Sequence, residues 1–340
     1  MLINMISKKT KRNILEIAAS LLSLILPFGA LAQQDNHLSQ FNVSPLILNP
    51  AMTGMFEGNY RANILYRNQW SSIIKKSYTT ENASFDRPKK KFGYGGYIMN
   101  NQAGTGKLKA LTLAISGAYE ITKQSPANFH HITTGLQLGF IHKAINYSAL
   151  TFDSQYTEAN GGGFDQSIPS TELFQNASIF LPEVNCGVLY RYKNEESKFE
   201  PYVGFSGLHM TSPVESFLGT KNHLARRYVM HAGSKIKINS LISIEPSFLY
   251  MQQTANVHEI NTGITGFYFV PEYNTKFLLG VFYRNKDALI IHTGFIYDEY
   301  TFRLSYDVNV SSLKAYSGGR GAFEISLIYT KKNAKYVPSF

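Results

Sequence analysis

The stretch Tyr300-Thr301-Phe302-Arg303-Leu304-Ser305-Tyr306-Asp307-Val308-Asn309-Val310 decides the fold. Tyr300, Phe302, Leu304, Tyr306, Val308 and Val310 alternate with Thr301, Arg303, Ser305, Asp307 and Asn309. Successive side chains of a strand point to opposite faces, so this segment has one face for lipid or a core and one for water. The same period of two runs through Leu111, Leu113, Ile115 and Tyr119, set against Thr112, Ser116 and Glu120. It returns in Ile132, Leu136, Leu138 and Phe140 against His131, Thr133 and Gln137.

Working outward, strand-like segments lie near 59–69, 76–86, 92–100, 108–121, 129–142, 183–193 and 198–209. Others lie near 226–238, 241–252, 256–269, 275–284, 287–297, 299–310 and 321–331. A membrane-crossing strand needs about 9–11 residues, and bacterial outer-membrane barrels have an even strand number. The expected fold is therefore all-β: a transmembrane antiparallel β-barrel of 14 strands, within a range of about 12 to 16. Segments 76–86 and 92–100 are the weakest, because their alternation is poor and Gly93, Gly95 and Gly96 supply no side chain. A soluble β-sandwich would also alternate. Against it, the apolar phase is rich in Phe and Tyr, as interface girdles require. Arg61, Glu120, Arg191, Glu245, Arg303 and Asp307 fall on the polar phase, which assigns them to the lumen, and Arg67 and Glu324 share it. In the last segment, Phe323, Ile325, Leu327 and Tyr329 give an aromatic-ended lipid face.

Composition agrees. The chain has 340 residues, 44% hydrophobic and 16% charged, with 22 Tyr and 23 Phe, which excludes a disordered protein. A single thiol, Cys186, excludes a disulfide framework and any cysteine-built zinc or iron–sulfur site. Residues 1–32 read as a signal peptide. Lys8, Lys9, Lys11 and Arg12 precede an apolar stretch from Ile14 to Phe28, and Ala30-Leu31-Ala32 gives the cleavage pattern. Removing those four cations and Glu16 takes the formal charge from +10 to +7. Gln33, the first residue expected in the mature chain, is not a lipoprotein cysteine. Export to a Gram-negative outer membrane follows, with outer-membrane lipid as surroundings and no nucleic acid as partner.

The expected organisation is a signal peptide at 1–32, an arm at 33–55, the barrel at 56–332 and a tail at 333–340. Pro45 and Pro50 fix φ and remove two donors, so the arm is not a barrel strand. It is expected in the lumen or at the periplasmic mouth, anchored by Phe41, Leu46 and Leu48. Phe41, Asn49 and Pro50 are candidate partner contacts. So are Tyr66, Arg67, Asn68, Gln69 and Trp70, which close the first strand with a dense set of donors; they could meet a partner, meet the arm, or simply form the interface girdle.

Connections differ in length. Arg284-Asn285-Lys286-Asp287 and Asp298-Glu299 are tight polar turns, and both are expected on the periplasmic side. Residues 144–182 and 210–225 are long loops, expected outside, where binding concentrates on a rigid scaffold. Their Tyr156, Phe164, Phe174 and Phe217 are candidate anchors, because interface energy gathers in a few aromatic side chains.

Catalytic patterns are not found. No H-E-x-x-H occurs, Gly204-Phe205-Ser206-Gly207 lacks nucleophile-elbow spacing, and Gly104-Thr105-Gly106-Lys107 is followed by Leu108. His130 and His131 are adjacent and would face opposite sides of a strand. No catalytic residue, metal or cofactor is expected, and the protein is not expected to be an enzyme.

Finally, the run Gln34-Asp35-Asn36-His37-Leu38-Ser39-Gln40-Phe41, followed by Ser44-Pro45-Leu46-Ile47-Leu48-Asn49-Pro50-Ala51, resembles the opening of the PorP/SprF family of type IX secretion membrane proteins. So do Tyr66 to Trp70, Lys143 to Phe152, Phe217-Leu218-Gly219, Arg226 to Gly233, Asp287 to Ile290 and Glu324-Ile325-Ser326-Leu327. Ser44 and Phe323 depart from the family's usual Asn and His. The resemblance implies an outer-membrane barrel needed for secretion or surface attachment of proteins bearing a type IX C-terminal signal. It implies a large adhesin-like cargo as partner, with periplasmic ring or peptidoglycan-binding components as further partners. From the residues alone, a porin-like channel for small solutes stays open as the alternative.

Overall fold

The computed structural model describes residues 37–71, 77–104, 108–122, 129–158, 162–172, 174, 176–194, 196–219, 221–254 and 257–332. The expected signal peptide, residues 33–36 and the tail at 333–340 lie outside them.

Five long strands come first: β1 (Tyr60–Gln69), β2 (Tyr78–Lys89), β3 (Phe92–Ala103), β4 (Leu108–Glu120) and β5 (His130–Ala144). Two-residue strands β6 (Tyr156–Thr157) and β7 (Gly163–Phe164) pair only with each other, inside a loop. Then follow β8 (Ser178–Tyr192), β9 (Phe199–Leu208), β10 (Arg227–Lys237), β11 (Ile242–Thr254) and β12 (Val257–Val270). The last are β13 (Thr275–Arg284), β14 (Ala288–Tyr297), β15 (Tyr300–Asn309) and β16 (Arg320–Lys331). All but β6 and β7 form one closed antiparallel barrel of 14 strands, in chain order around the wall. β1 closes it on β16, from Tyr60↔Lys331 to Gln69↔Ala322. Closure leaves no free sheet edge, the condition for strands to cross lipid.

The period of two sorts the wall. On β13, Leu278, Phe282 and Arg284 are buried inside, whereas Phe277, Leu279, Val281 and Tyr283 are exposed outside. No helix among the described residues is long and apolar enough to cross a membrane.

Two expectations need correction. The turn at Arg284–Asp287 does not share a rim with Asp298–Glu299. Consecutive connections of an antiparallel meander alternate between rims, so it stands at the rim of the long loops, opposite the Tyr60↔Lys331 closure. Also, β8 starts at Ser178 rather than near 183, so the long loop is 145–177. Pro182 does not stop the strand because the β8–β9 ladder covers only Cys186–Arg191, and no β9 partner needs its missing N–H.

Residues 37–55 lie inside the barrel. Ser44 leads into α1 (Pro45–Leu48), and Asn49 leads into a 3₁₀ turn at Pro50–Met52. Each begins with a proline, whose fixed φ suits a first helical turn. The apolar core forms where this arm meets the wall. Phe41 and Leu48 pack with Leu208, Val229, Leu249, Phe282 and Ile290, while Leu46 packs with Tyr97 and Ala114.

Candidate functional site

The arm is held to the wall at three levels. At the first, Ser39 and Gln40 meet a buried charge cluster. Ser39 N and Gln40 N donate to the two oxygens of Glu324, at 2.6 and 2.8 Å, and Ser39 Oγ donates to Asp307 at 2.6 Å. Arg67 pairs with Glu324 and lies 3.4 Å from Asp307, while Arg284 pairs with Asp307 at 2.8 Å. Arg67 and Arg284 are each only 2% exposed. Such cations persist inside because every one is matched by carboxylates that accept further hydrogen bonds. The amides of Gln40 and the hydroxyls of Ser305 and Ser326 extend the network, with Ser326 Oγ donating to Gln40 Oε1 at 2.7 Å.

At the second level, Asn49 joins three strands. Its Nδ2 lies 3.1 Å from Val188 O, 3.2 Å from Phe205 O and 3.0 Å from His231 Nε2, and its Oδ1 accepts from Ala51 N at 2.9 Å. This approach needs glycine in the wall. A Cβ on Gly187 would stand 2.1 Å from Asn49 Oδ1, and one on Gly135 would stand 2.2 Å from the carbonyl carbon of Pro50. Gln137 Nε2 donates to Leu46 O at 2.6 Å, and Ser206 Oγ to Leu48 O at 2.7 Å.

At the third level, near the rim where the chain enters the wall, Gly54 N donates to Asp86 Oδ2 at 2.8 Å, and Arg61 forks onto the same carboxylate. Arg191 Nη1 donates to Met55 O at 3.3 Å. Arg61, Glu120, Arg191, Glu245, Arg303 and Asp307 all stand on the inward phase. Glu120 meets His131, and Arg303 reaches Asn42 Oδ1 at 3.5 Å.

Phe41, Asn49 and Pro50 are buried between arm and wall, so they are covered while the arm is in place. The residues from Tyr66 to Trp70 split by phase. Arg67 turns inward and its Nη1 donates to Ser39 Oγ at 2.7 Å. Tyr66 faces out, with Asn68 Nδ2 donating to its hydroxyl at 3.3 Å, and Gln69 Oε1 accepts from Arg67 at 3.1 Å. Trp70 turns left-handed at φ 62°, its ring edge-on to Tyr78. Ser39, Gln40 and Arg284 join this network without having been site candidates in the sequence, whereas Glu324 already stood on the polar phase. For Arg284 the signal was present, because it continues the inward row of Leu278, Gly280 and Phe282.

The long loops stand at the far rim. His209, left-handed at φ 56°, bends the chain after β9 and pairs with Glu183 at 2.8 Å. Lys143 pairs with Glu215, and Leu224 buries against Ile141 and Leu181. Phe174 stacks on Tyr147 at 5.2 Å and leans on Phe152, so it holds the loop together. Phe217 is half-buried, and its carbonyl accepts from Asn176 N. Tyr156 and Phe164 pack edge-on across β6–β7 and remain 54% and 53% exposed. Beside them, hydrogen bonds from Ser167 hold the Asp165 carboxyl below the usual carboxylate range.

Residues 30–329 match the family described as type IX secretion system membrane protein PorP/SprF. The chain belongs to that family. It is an outer-membrane β-barrel of the type IX secretion system. A comparison with curated proteins finds no match. Among solved structures, it is similar to the CymD monoaromatic hydrocarbon channel at 10% identity and a TM-score of 0.49, covering 86% of this chain and 93% of that one. It is similar to the Pseudomonas putida toluene transporter TodX at 10% identity and a TM-score of 0.45, covering 85% and 93%. A third is the KdgM porin, at 8% identity and a TM-score of 0.40, covering 79% and 98%. Likenesses this distant carry nothing about ligand or mechanism.

Proposed function

We propose that this PorP/SprF-family barrel holds a partner protein rather than conducting solutes. The partner is a secreted protein with a type IX C-terminal signal, large and adhesin-like, which the barrel helps to export or to keep on the cell surface. The observation that carries this reading is the arm seated inside the lumen. The arm from His37 to Met55 is fixed by charged and neutral hydrogen bonds at three levels in the space that a porin keeps open. Capture then falls to the outer loops, where Tyr156 and Phe164 present an exposed aromatic pair suited to a contact centre.

Deleting the protein should leave one or a few C-terminal-signal proteins unsecreted or shed, with solute uptake normal. Replacing Tyr156 and Phe164 together by alanine should lower partner pull-down while heat-modifiable migration, the mark of a folded barrel, is kept. An unaltered surface proteome in the deletion strain would give the function to the porin-like alternative. Unchanged capture by the double alanine variant would move the contact away from β6–β7.

A further inference from the structure

The arm does not fill the lumen to its periplasmic rim. On the β10–β14 side a cavity of about 290 Å³ opens there, lined by Lys235, Lys237, Lys276 and Lys332, with Phe269 and Ile296 as apolar wall. Lys235 and Lys237 continue the inward row of Arg227, Val229 and His231, and Lys276 that of Leu278 and Phe282, so these three ammonium groups come from the lumen face. Two of the four cations are matched. Lys237 pairs with Glu200 at 3.1 Å and Lys332 with Asp298 at 3.2 Å. Lys235 and Lys276 make no ion pair within 4 Å among the described residues; Glu245, on the neighbouring strand β11, interacts first with Arg303 and attracts these two lysines only from beyond that distance.

We propose that this vestibule binds a terminal phosphate group, as inorganic phosphate, a soluble phosphomonoester or a lipid phosphomonoester. The argument is charge matching in a confined, half-apolar space. Two unpaired ammonium groups repel each other more strongly there than in water, and a single carboxylate or chloride neutralises only one. A phosphomonoester carries about −1.5 to −2 at pH 7 and offers three acceptor oxygens, so one ligand satisfies both. Lysine is a customary point-charge partner for phosphate, and among the described residues no arginine fork lines the cavity to select a planar carboxylate. Phe269 and Ile296 give the esterified carbon a place beside the charge. This site is independent of the partner-holding role, because it opens to the opposite rim.

The test uses the full mature chain in a zwitterionic detergent. Calorimetric titration with inorganic phosphate and with glycerol phosphate should show one saturable site. K235Q and K276Q should each bind about ten-fold more weakly, the size of one lost charge contact at a partly screened site, while K314Q on the opposite rim binds unchanged. Affinity should fall at about pH 5, below the second phosphate pKa of about 6. A measurement without variants uses lysine acetylation read by mass spectrometry: phosphate should protect Lys235 and Lys276 and leave Lys314 reactive. Nanodiscs containing phosphatidic acid or phosphatidylglycerol separate the sources. Protection by phosphatidic acid alone assigns a lipid phosphate, and protection by soluble phosphate assigns a free or esterified one. Equal affinity in K235Q and wild type, equal protection by chloride at matched ionic strength, or stronger protection by a glutamate peptide would overturn the proposal.

Discussion

Arg67 shows how much one inward residue can organise. Its guanidinium joins Glu324 and Asp307 on the wall to Ser39 on the arm, so strand closure and arm seating share one side chain. Removing one member of a buried ion cluster leaves its partners unpaired, at a cost of about 3–5 kcal/mol. R67A should therefore lower the denaturant midpoint of the heat-modifiable band strongly, whereas Q69A, which loses one neutral acceptor, should barely move it. Equal midpoints for the two variants would show that the cluster does not hold the arm. Gly187 makes the complementary case, because a Cβ there would strike Asn49 Oδ1 at 2.1 Å but come no closer than 3.1 Å to the wall, at Phe205 O. G187V should keep a folded barrel but loosen the arm, read as new protease sites within residues 37–55. Strand phase turned Arg67 inward in the sequence. Its partners stood 240 and 257 positions away, and nothing local could name them.

At the scale of elements, β15 was legible because each outward residue is apolar and each inward one polar or charged. Leu304 faces out and Ser305 in, where Ser305 Oγ accepts from Gln40 at 3.2 Å. L304R should cost about 2–4 kcal/mol if it sits near the bilayer midplane. S305A loses one long hydrogen bond, about 1 kcal/mol. A refolding titration into lipid vesicles that ranked S305A as the worse variant would reverse the assigned phase. β2 and β3 were the least readable, since packing overrode alternation: Gly93 carries no side chain because the backbone of Thr53 passes against it. Pro182 misled in the same way, being tolerated only where the β8–β9 ladder is absent, a feature of pairing rather than of composition.

For the whole molecule, a count of alternating segments sufficed for a closed barrel of 14 strands. The arm seated inside the lumen could not be read that way, because an arm without regular periodicity reveals its seat only through the cavity it enters. Pro45 and Pro50 told that residues 45–52 are no strand; Gly135, Gly187 and Ser206, spread over three strands, supply the surface that receives them. The loops likewise look alike in sequence, yet Phe174 packs inward on Tyr147 while Tyr156 and Phe164 stay exposed. The central claim is that this is a plugged barrel that holds a partner. Single-channel conductance in planar bilayers tests it most directly. The wild-type protein should show no steady conductance, and a variant lacking residues 37–55 should show large, stable steps. Steady wild-type conductance equal to that of the deletion variant would contradict the account.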